Sequence, residues 1–148
     1  MTFNDKNIEY MRAACLECDK SDCEVKTGCV VVQNGELVLK THNMLSFAAT
    51  ALPERDRALH AEAAAVAAAS KTGLSLVGCD MYLTRFPCVS CAMLLTNAGI
   101  GRVYYMSDLF TSGNVALPIL ESADIEVAQI PETEVWSRDD PSQGPTRL

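Results

Sequence analysis

The sequence predicts an α/β fold: one mixed sheet covered by helices on both faces. Gly28-Cys29-Val30-Val31-Val32-Gln33 and Glu36-Leu37-Val38-Leu39-Lys40 are strand-forming runs joined by Asn34-Gly35. That dipeptide suits a type I′ hairpin, whose two central residues both need positive φ. After residue 78, strand-like segments alternate with helix-like ones, the pattern of parallel strands joined by crossovers. Those strands are short and apolar, as burial on both faces requires.

Taken in order, residues 7–19 read as a helix, with Ile8, Met11, Cys15 and Leu16 about one turn apart. The hairpin follows. Residues 41–57 are less regular, and Pro53 interrupts them. The alanine-rich run Ala61–Ala69 has very high helix propensity, and Gly73 lies just past its end. Asp80–Thr84 reads as a strand, Pro87–Ala98 as a helix closed by Gly99, and Arg102–Met106 as a further strand. Residues 114–122 suit a short helix with Pro118 near its start, and Ile125–Ile130 a last strand. From Pro131 the chain turns polar and acidic, which suggests a domain over 1–130 and a tail over 131–148.

Composition bounds the function. A chain of 148 residues has room for one domain with one sizeable core. Its 49% hydrophobic and 21% charged residues exclude a disordered or collagen-like chain. Twelve basic against 19 acidic residues leave a net charge of −7, which argues against nucleic acid as the main partner. No apolar stretch is long enough to span a bilayer, and the N-terminus lacks a signal-peptide pattern, so a cytoplasmic location is expected. In a reducing compartment seven cysteines point to metal binding or core packing rather than to disulfides.

Two motifs carry chemistry: His60-Ala61-Glu62 and Pro87-Cys88-Val89-Ser90-Cys91. Each lies at the start of a helical stretch, where free N–H groups and the helix dipole favour a thiolate. Cys88 and Cys91 are three apart, so one helical turn can aim both sulfurs at one point. With His60 they make a three-ligand zinc set that leaves the fourth position open, the mark of a catalytic rather than a closed site. Zinc lowers the pKa of its water to about 7, and Glu62 beside it can take that proton and pass it to a substrate nitrogen. Nucleophile plus proton shuttle is what hydrolytic deamination of an amidine-like carbon needs.

These motifs resemble the zinc signature of the cytidine/deoxycytidylate deaminase superfamily. The resemblance extends over about residues 8–130. Ser21-Asp22-Cys23 with Gly28-Cys29-Val30-Val31-Val32, Thr84-Arg85-Phe86-Pro87-Cys88, Cys91-Ala92, Ala98-Gly99-Ile100 and Ala123-Asp124-Ile125-Glu126-Val127 are similar to the deoxycytidylate deaminase branch. The resemblance implies a three-layer α/β/α fold with a five-stranded mixed sheet, its last two strands made parallel by an intervening helix. It also implies Zn²⁺ on His60, Cys88 and Cys91, Glu62 as the catalytic acid–base, and a homo-oligomer. Asn43 is then the residue placed against substrate, and the Ala61 backbone N–H the donor to the ring carbonyl. Two features depart from the branch: the connection from the second strand to His60-Ala61-Glu62 is short, and the residues after that strand differ. A Gly-Tyr-Asn-Gly stretch usual after the second strand is here Thr41-His42-Asn43-Met44, which keeps only the asparagine.

The expected activity is deamination of a cytosine nucleotide or nucleoside of the CMP/dCMP type, with ammonia released. A guanine or other nucleobase deaminase, a tRNA adenosine deaminase and a non-catalytic zinc-binding module are the alternatives. Arg55, Arg57 and Arg85 flank the motifs and could hold a phosphate or simply be solvated. A purely structural zinc site would need a fourth ligand, for which Cys15, Cys18 and Cys23 are the candidates. Otherwise these three, with Cys29 and Cys79, read as small buried hydrophobes. His42 reads as a hydrogen-bonded bystander and Phe86 as core, Phe47 could stack on a base, and Trp136 is either an interface anchor or an exposed residue.

Overall fold

A computed structural model describes residues 3–46, 52–108 and 111–136. In chain order the elements are α1 (Asp5–Cys18), β1 (Gly28–Gln33), β2 (Glu36–His42), β3 (Met44–Leu45), α2 (Glu54–Arg57), β4 (Ala58–Leu59), α3 (Ala61–Thr72), β5 (Asp80–Arg85), α4 (Val89–Ala98), β6 (Arg102–Ser107), α5 (Gly113–Ser122), β7 (Glu126–Gln129) and α6 (Glu132–Val135). Five strands form one sheet in the order β2-β1-β5-β6-β7. β1 pairs antiparallel with β2 and β5, and β5–β6 and β6–β7 are parallel, so the expected mixed sheet is what forms.

Alternation along the strands divides the core into two layers. Val30, Val32, Tyr82 and Tyr104 point to one face and meet Tyr10, Met11, Ala14 and Cys15 of α1. Cys29, Val31, Met81, Leu83 and Val103 point to the other and meet Ala61, Ala65 and Ala69 of α3, with Ala92 and Leu95 of α4. The alanine face lets α3 lie close to the sheet. Gly28 serves α1 in the same way, because a Cβ there would overlap the Ala14 carbonyl oxygen.

Several boundaries differ from those expected. Helix α1 begins earlier because Asn4 and Asn7 cap it reciprocally, an amide version of the capping box. Pro118 lies in the middle of α5 rather than near its start. The Asn114 carbonyl it leaves without an intrahelical donor belongs to an exposed residue, which water can reach. The segment read as tail begins with α6, whose Val135 is fully buried against α1. Arg12 donates to the Val135 carbonyl at 2.8 Å and lies 5.8 Å from the Trp136 ring centroid, so Trp136 packs within its own chain.

Residues 41–57, irregular in the sequence, hold a second sheet of two strands. β3 pairs with β4 through Met44↔Leu59 and Leu45↔Ala58. That register places Asn43, just before β3, beside His60, just after β4.

Candidate active site

His60 is the N-cap of α3 and Cys88 the N-cap of α4, with Cys91 three residues on. The His60 side chain makes no capping bond to its own helix, and the Cys88 thiol turns to Cys91 and His60. The His60 Nδ1 atom lies 3.6 Å from Cys88 Sγ and 3.4 Å from Cys91 Sγ. A tetrahedral ion with bonds of about 2.3 Å to sulfur and 2.0–2.1 Å to nitrogen would hold those atoms about 3.6 Å apart. The donor set and its spacing therefore fit zinc. Among the described residues this is the one group of three whose ligand atoms gather within 4.8 Å. Cys15 and Cys18 are buried elsewhere, on Met106 Sδ and Thr84 Oγ1, and supply no fourth ligand.

The Cys91 hydrogen bond, followed by that of His60, holds Cys88 down to about 3. The same contact with Cys88, then burial, pushes Cys91 up, and the Cys88 hydrogen bond raises His60. A divalent cation held here would favour both sulfurs as thiolates.

Glu62 is buried in the first turn of α3 beside this group. Burial raises its carboxyl above the usual carboxylate range, against the pull of its own backbone N–H and of His60. The Thr41 hydroxyl donates to the Ala61 carbonyl at 2.8 Å and ties α3 to β2. The Ala61 N–H, at the first helical position, has no intrahelical acceptor.

His60, Ala61, Glu62 and Cys88 line a cavity of about 250 Å³, together with Asn43 and Arg85. It opens at the carboxyl end of β5, where ligands of open α/β sheets bind. Of the three arginines only Arg85 is in its wall. Arg55 is exposed and pairs with Asp56 at 3.7 Å, and Arg57 does not line the cavity. Phe86 is buried, stands edge-on to Tyr105 and touches the cavity, while Phe47 lies outside the described residues.

Asn43 is in the wall, but most of its amide is engaged by protein. Its Oδ1 accepts from Ser21 Oγ at 2.6 Å and from the Thr27 N–H at 2.9 Å, and its Nδ2 donates to the Val25 carbonyl at 2.7 Å. The amide placed against substrate thus has no acceptor left to offer. His42 lies 3.3 Å from the buried Glu17 carboxylate, which also pairs with Lys20 at 2.7 Å.

Residues 21–27 form a strap across the cavity, fastened also by Asp22 to the Leu45 N–H and by Glu54 to the Glu24 N–H. Cys23, Val25, Thr27, Glu54 and Ser112 line the cavity too, and sequence reasoning singled out none of them for substrate contact. Their types and spacing carry no chemical pattern, and only folding brings the strap, Glu54 of α2 and Ser112 before α5 to the site.

The family model for the cytidine and deoxycytidylate deaminase zinc-binding region matches residues 4–107. Human deoxycytidylate deaminase is 40% identical over 57 residues, 38% of this chain and 31% of that protein. The tRNA-specific adenosine deaminase of Aquifex aeolicus is 31% identical over 84 residues, 55% of this chain and 52% of that protein. The solved apo dCMP deaminase of cyanophage S-TIM5 superposes with a TM-score of 0.74 at 26% identity, covering 86% of this chain and all of that one. The chain spans 25–52% of the length of the first curated relatives it matches. A match over most of the folded chain that includes both helix-capping motifs, joined here into one zinc-fitting group, makes this chain a member of the cytidine and deoxycytidylate deaminase zinc-binding family.

Proposed function

We propose that this chain is a hydrolytic deaminase that converts a cytosine nucleotide or nucleoside, of the CMP/dCMP type, to its uracil form and releases ammonia. The observation that carries this reading is a buried carboxyl, Glu62, beside a three-ligand zinc set in the wall of a small cavity. His60, Cys88 and Cys91 would hold the metal. When bound, zinc acts as a Lewis acid that makes water a good nucleophile near neutral pH.

The chain's own groups do the rest. Glu62 takes a proton from the attacking water and gives it to the ring nitrogen beside C4. Once the C4–O bond has formed, Glu62 takes the remaining proton of the added hydroxyl and delivers it to the exocyclic amine as the bond from C4 to that amine breaks, so that ammonia leaves and C4 becomes a carbonyl. The Ala61 N–H holds the ring carbonyl, and Asn43 donates to an oxygen of the substrate. Arg85, which lines the cavity, is the guanidinium we assign to a phosphate. A cavity of about 250 Å³ is at the small end of ligand pockets and suits a base with its sugar.

The likeness to a tRNA-specific adenosine deaminase favours a second reading, an adenosine in a polynucleotide. A net charge of −7 opposes it, because a polyanion would approach against the field. Val89, Met93 and Leu94 of α4 and Val115 of α5 are exposed apolar side chains, which supports a homo-oligomer. Ammonia release measured over cytidine, CMP, dCMP, guanine and a tRNA anticodon stem tests the proposal. Turnover of a cytosine compound is the expected result. Turnover of guanine or of the anticodon adenosine alone would replace it.

A further inference from the structure

Asn43 is held in a single orientation by its neighbours. Two donors, the Ser21 hydroxyl and the Thr27 N–H, face Oδ1, and one acceptor, the Val25 carbonyl, faces Nδ2. Turning the amide over would set its N–H group against the Thr27 N–H and its oxygen against the Val25 carbonyl, losing both of those bonds, and would displace the Ser21 hydroxyl proton from its acceptor. The Ser21 hydroxyl receives the Cys23 N–H at 3.1 Å on one lone pair and keeps its own proton for Asn43. Ser21 is buried, out of reach of competing water. The Asn43 N–H in turn donates to the Thr27 carbonyl at 3.2 Å, closing a ring between the two residues. One layer out, the buried Glu17 carboxylate holds Lys20 and His42, the residues immediately before Ser21 and Asn43.

An amide has two N–H donors and two oxygen lone pairs. Both lone pairs and one N–H are engaged by protein, so one N–H is left for the cavity that Asn43 lines. We infer that Ser21 is a positioning residue that makes Asn43 a one-way donor, so that the site selects substrates presenting an oxygen acceptor, hydroxyl or carbonyl, at that point. This rests on the proposed deaminase reading for its substrate, but the orientation of the amide does not.

The test uses the zinc-loaded full chain and has two arms. In the kinetic arm, Ser21→Ala removes one of the three bonds that hold the amide, loosens it against Thr27 and Val25, and raises KM about 3- to 10-fold with kcat within twofold, the scale of one net hydrogen bond. Ser21→Thr restores the hydroxyl and returns KM to within twofold of the parent. Asn43→Ala raises KM too, and Ser21→Ala adds nothing further on that background, because Ser21 acts through Asn43. Equal effects of Ser21→Ala with and without Asn43, or a fall in kcat and melting temperature that Thr does not rescue, would overturn the inference and leave Ser21 a structural residue.

The second arm needs no turnover. The side-chain amide pair of Asn43 is identified in a ¹⁵N–¹H spectrum by its loss in Asn43→Asp. In the parent it gives one sharp, inequivalent pair with one proton slow to exchange, and in Ser21→Ala that pair broadens and loses its protection. An unchanged pair in Ser21→Ala refutes the positioning role. Failure of the parent to deaminate any substrate in the panel refutes the deaminase reading instead, and leaves this arm to decide on Ser21.

Discussion

Cys88 and Cys91 differ in exposure but act as one donor pair, because α4 starts at Cys88 and its first turn brings Cys91 alongside. Removing either leaves two protein ligands, which hold zinc poorly. Cys88→Ala and Cys91→Ala should each lose the metal on dialysis, as read by elemental analysis against one zinc per parent chain. Full retention in both would place the metal elsewhere. Glu62 is the complementary case, since it fits the proton path and is not one of the three donors. Glu62→Gln keeps shape and size but cannot accept and relay a proton. Zinc content and melting temperature should stay at parent values while kcat falls by at least about 10²–10⁴. Near-parental turnover would remove Glu62 from the chemistry.

The last turn of α1 acts as a clamp through Glu17. Burial raises its carboxyl pKa, but hydrogen bonds from Lys20 and His42 outweigh that and leave it below the ordinary glutamate value. A carboxyl depressed in the folded state contributes stability above its unfolded pKa, about 4.3, and that stability is lost as pH falls through the folded value. Melting temperature should therefore drop as pH is lowered from about 5 toward 3, and Glu17→Gln should flatten part of that slope. An identical profile in the variant would show that the clamp adds nothing. The elements also show what a sequence discloses. The five strands were legible because alternation and β-branched runs are local, and α3 and α4 because propensity and the glycines after them are local too. β3 and β4 were not, since two-residue strands carry no period and form only when Met44 finds Leu59. The metal group could be read from two short motifs, whereas the Ser21–Asn43–Thr27 ring depends on a strap whose composition signals nothing.

At the scale of the whole molecule, charge bears on the proposed choice between substrates that the local chemistry alone would accept. A net charge of −7 repels a polyanion over several ångströms, and no helix among the described residues is long and apolar enough to cross a membrane. A single phosphate is a different problem, because one guanidinium at contact distance suffices and Arg85 is in the cavity wall. Glu54, on the same wall, keeps the surroundings from being generally cationic. A monophosphate preference should therefore be modest and local. Arg85→Ala should raise KM for dCMP several-fold while leaving KM for cytidine and both kcat values near the parent, since the lost contact is the same in ground and transition states. Raising salt should weaken dCMP use in the parent and have little effect in the variant. Arg55→Ala, on an exposed side chain outside the cavity, should change neither substrate. Steady-state kinetics of the three proteins on the two substrates at low and high ionic strength decide the matter. An equal rise in KM for cytidine and dCMP in Arg85→Ala would mean that Arg85 shapes the wall and binds no phosphate.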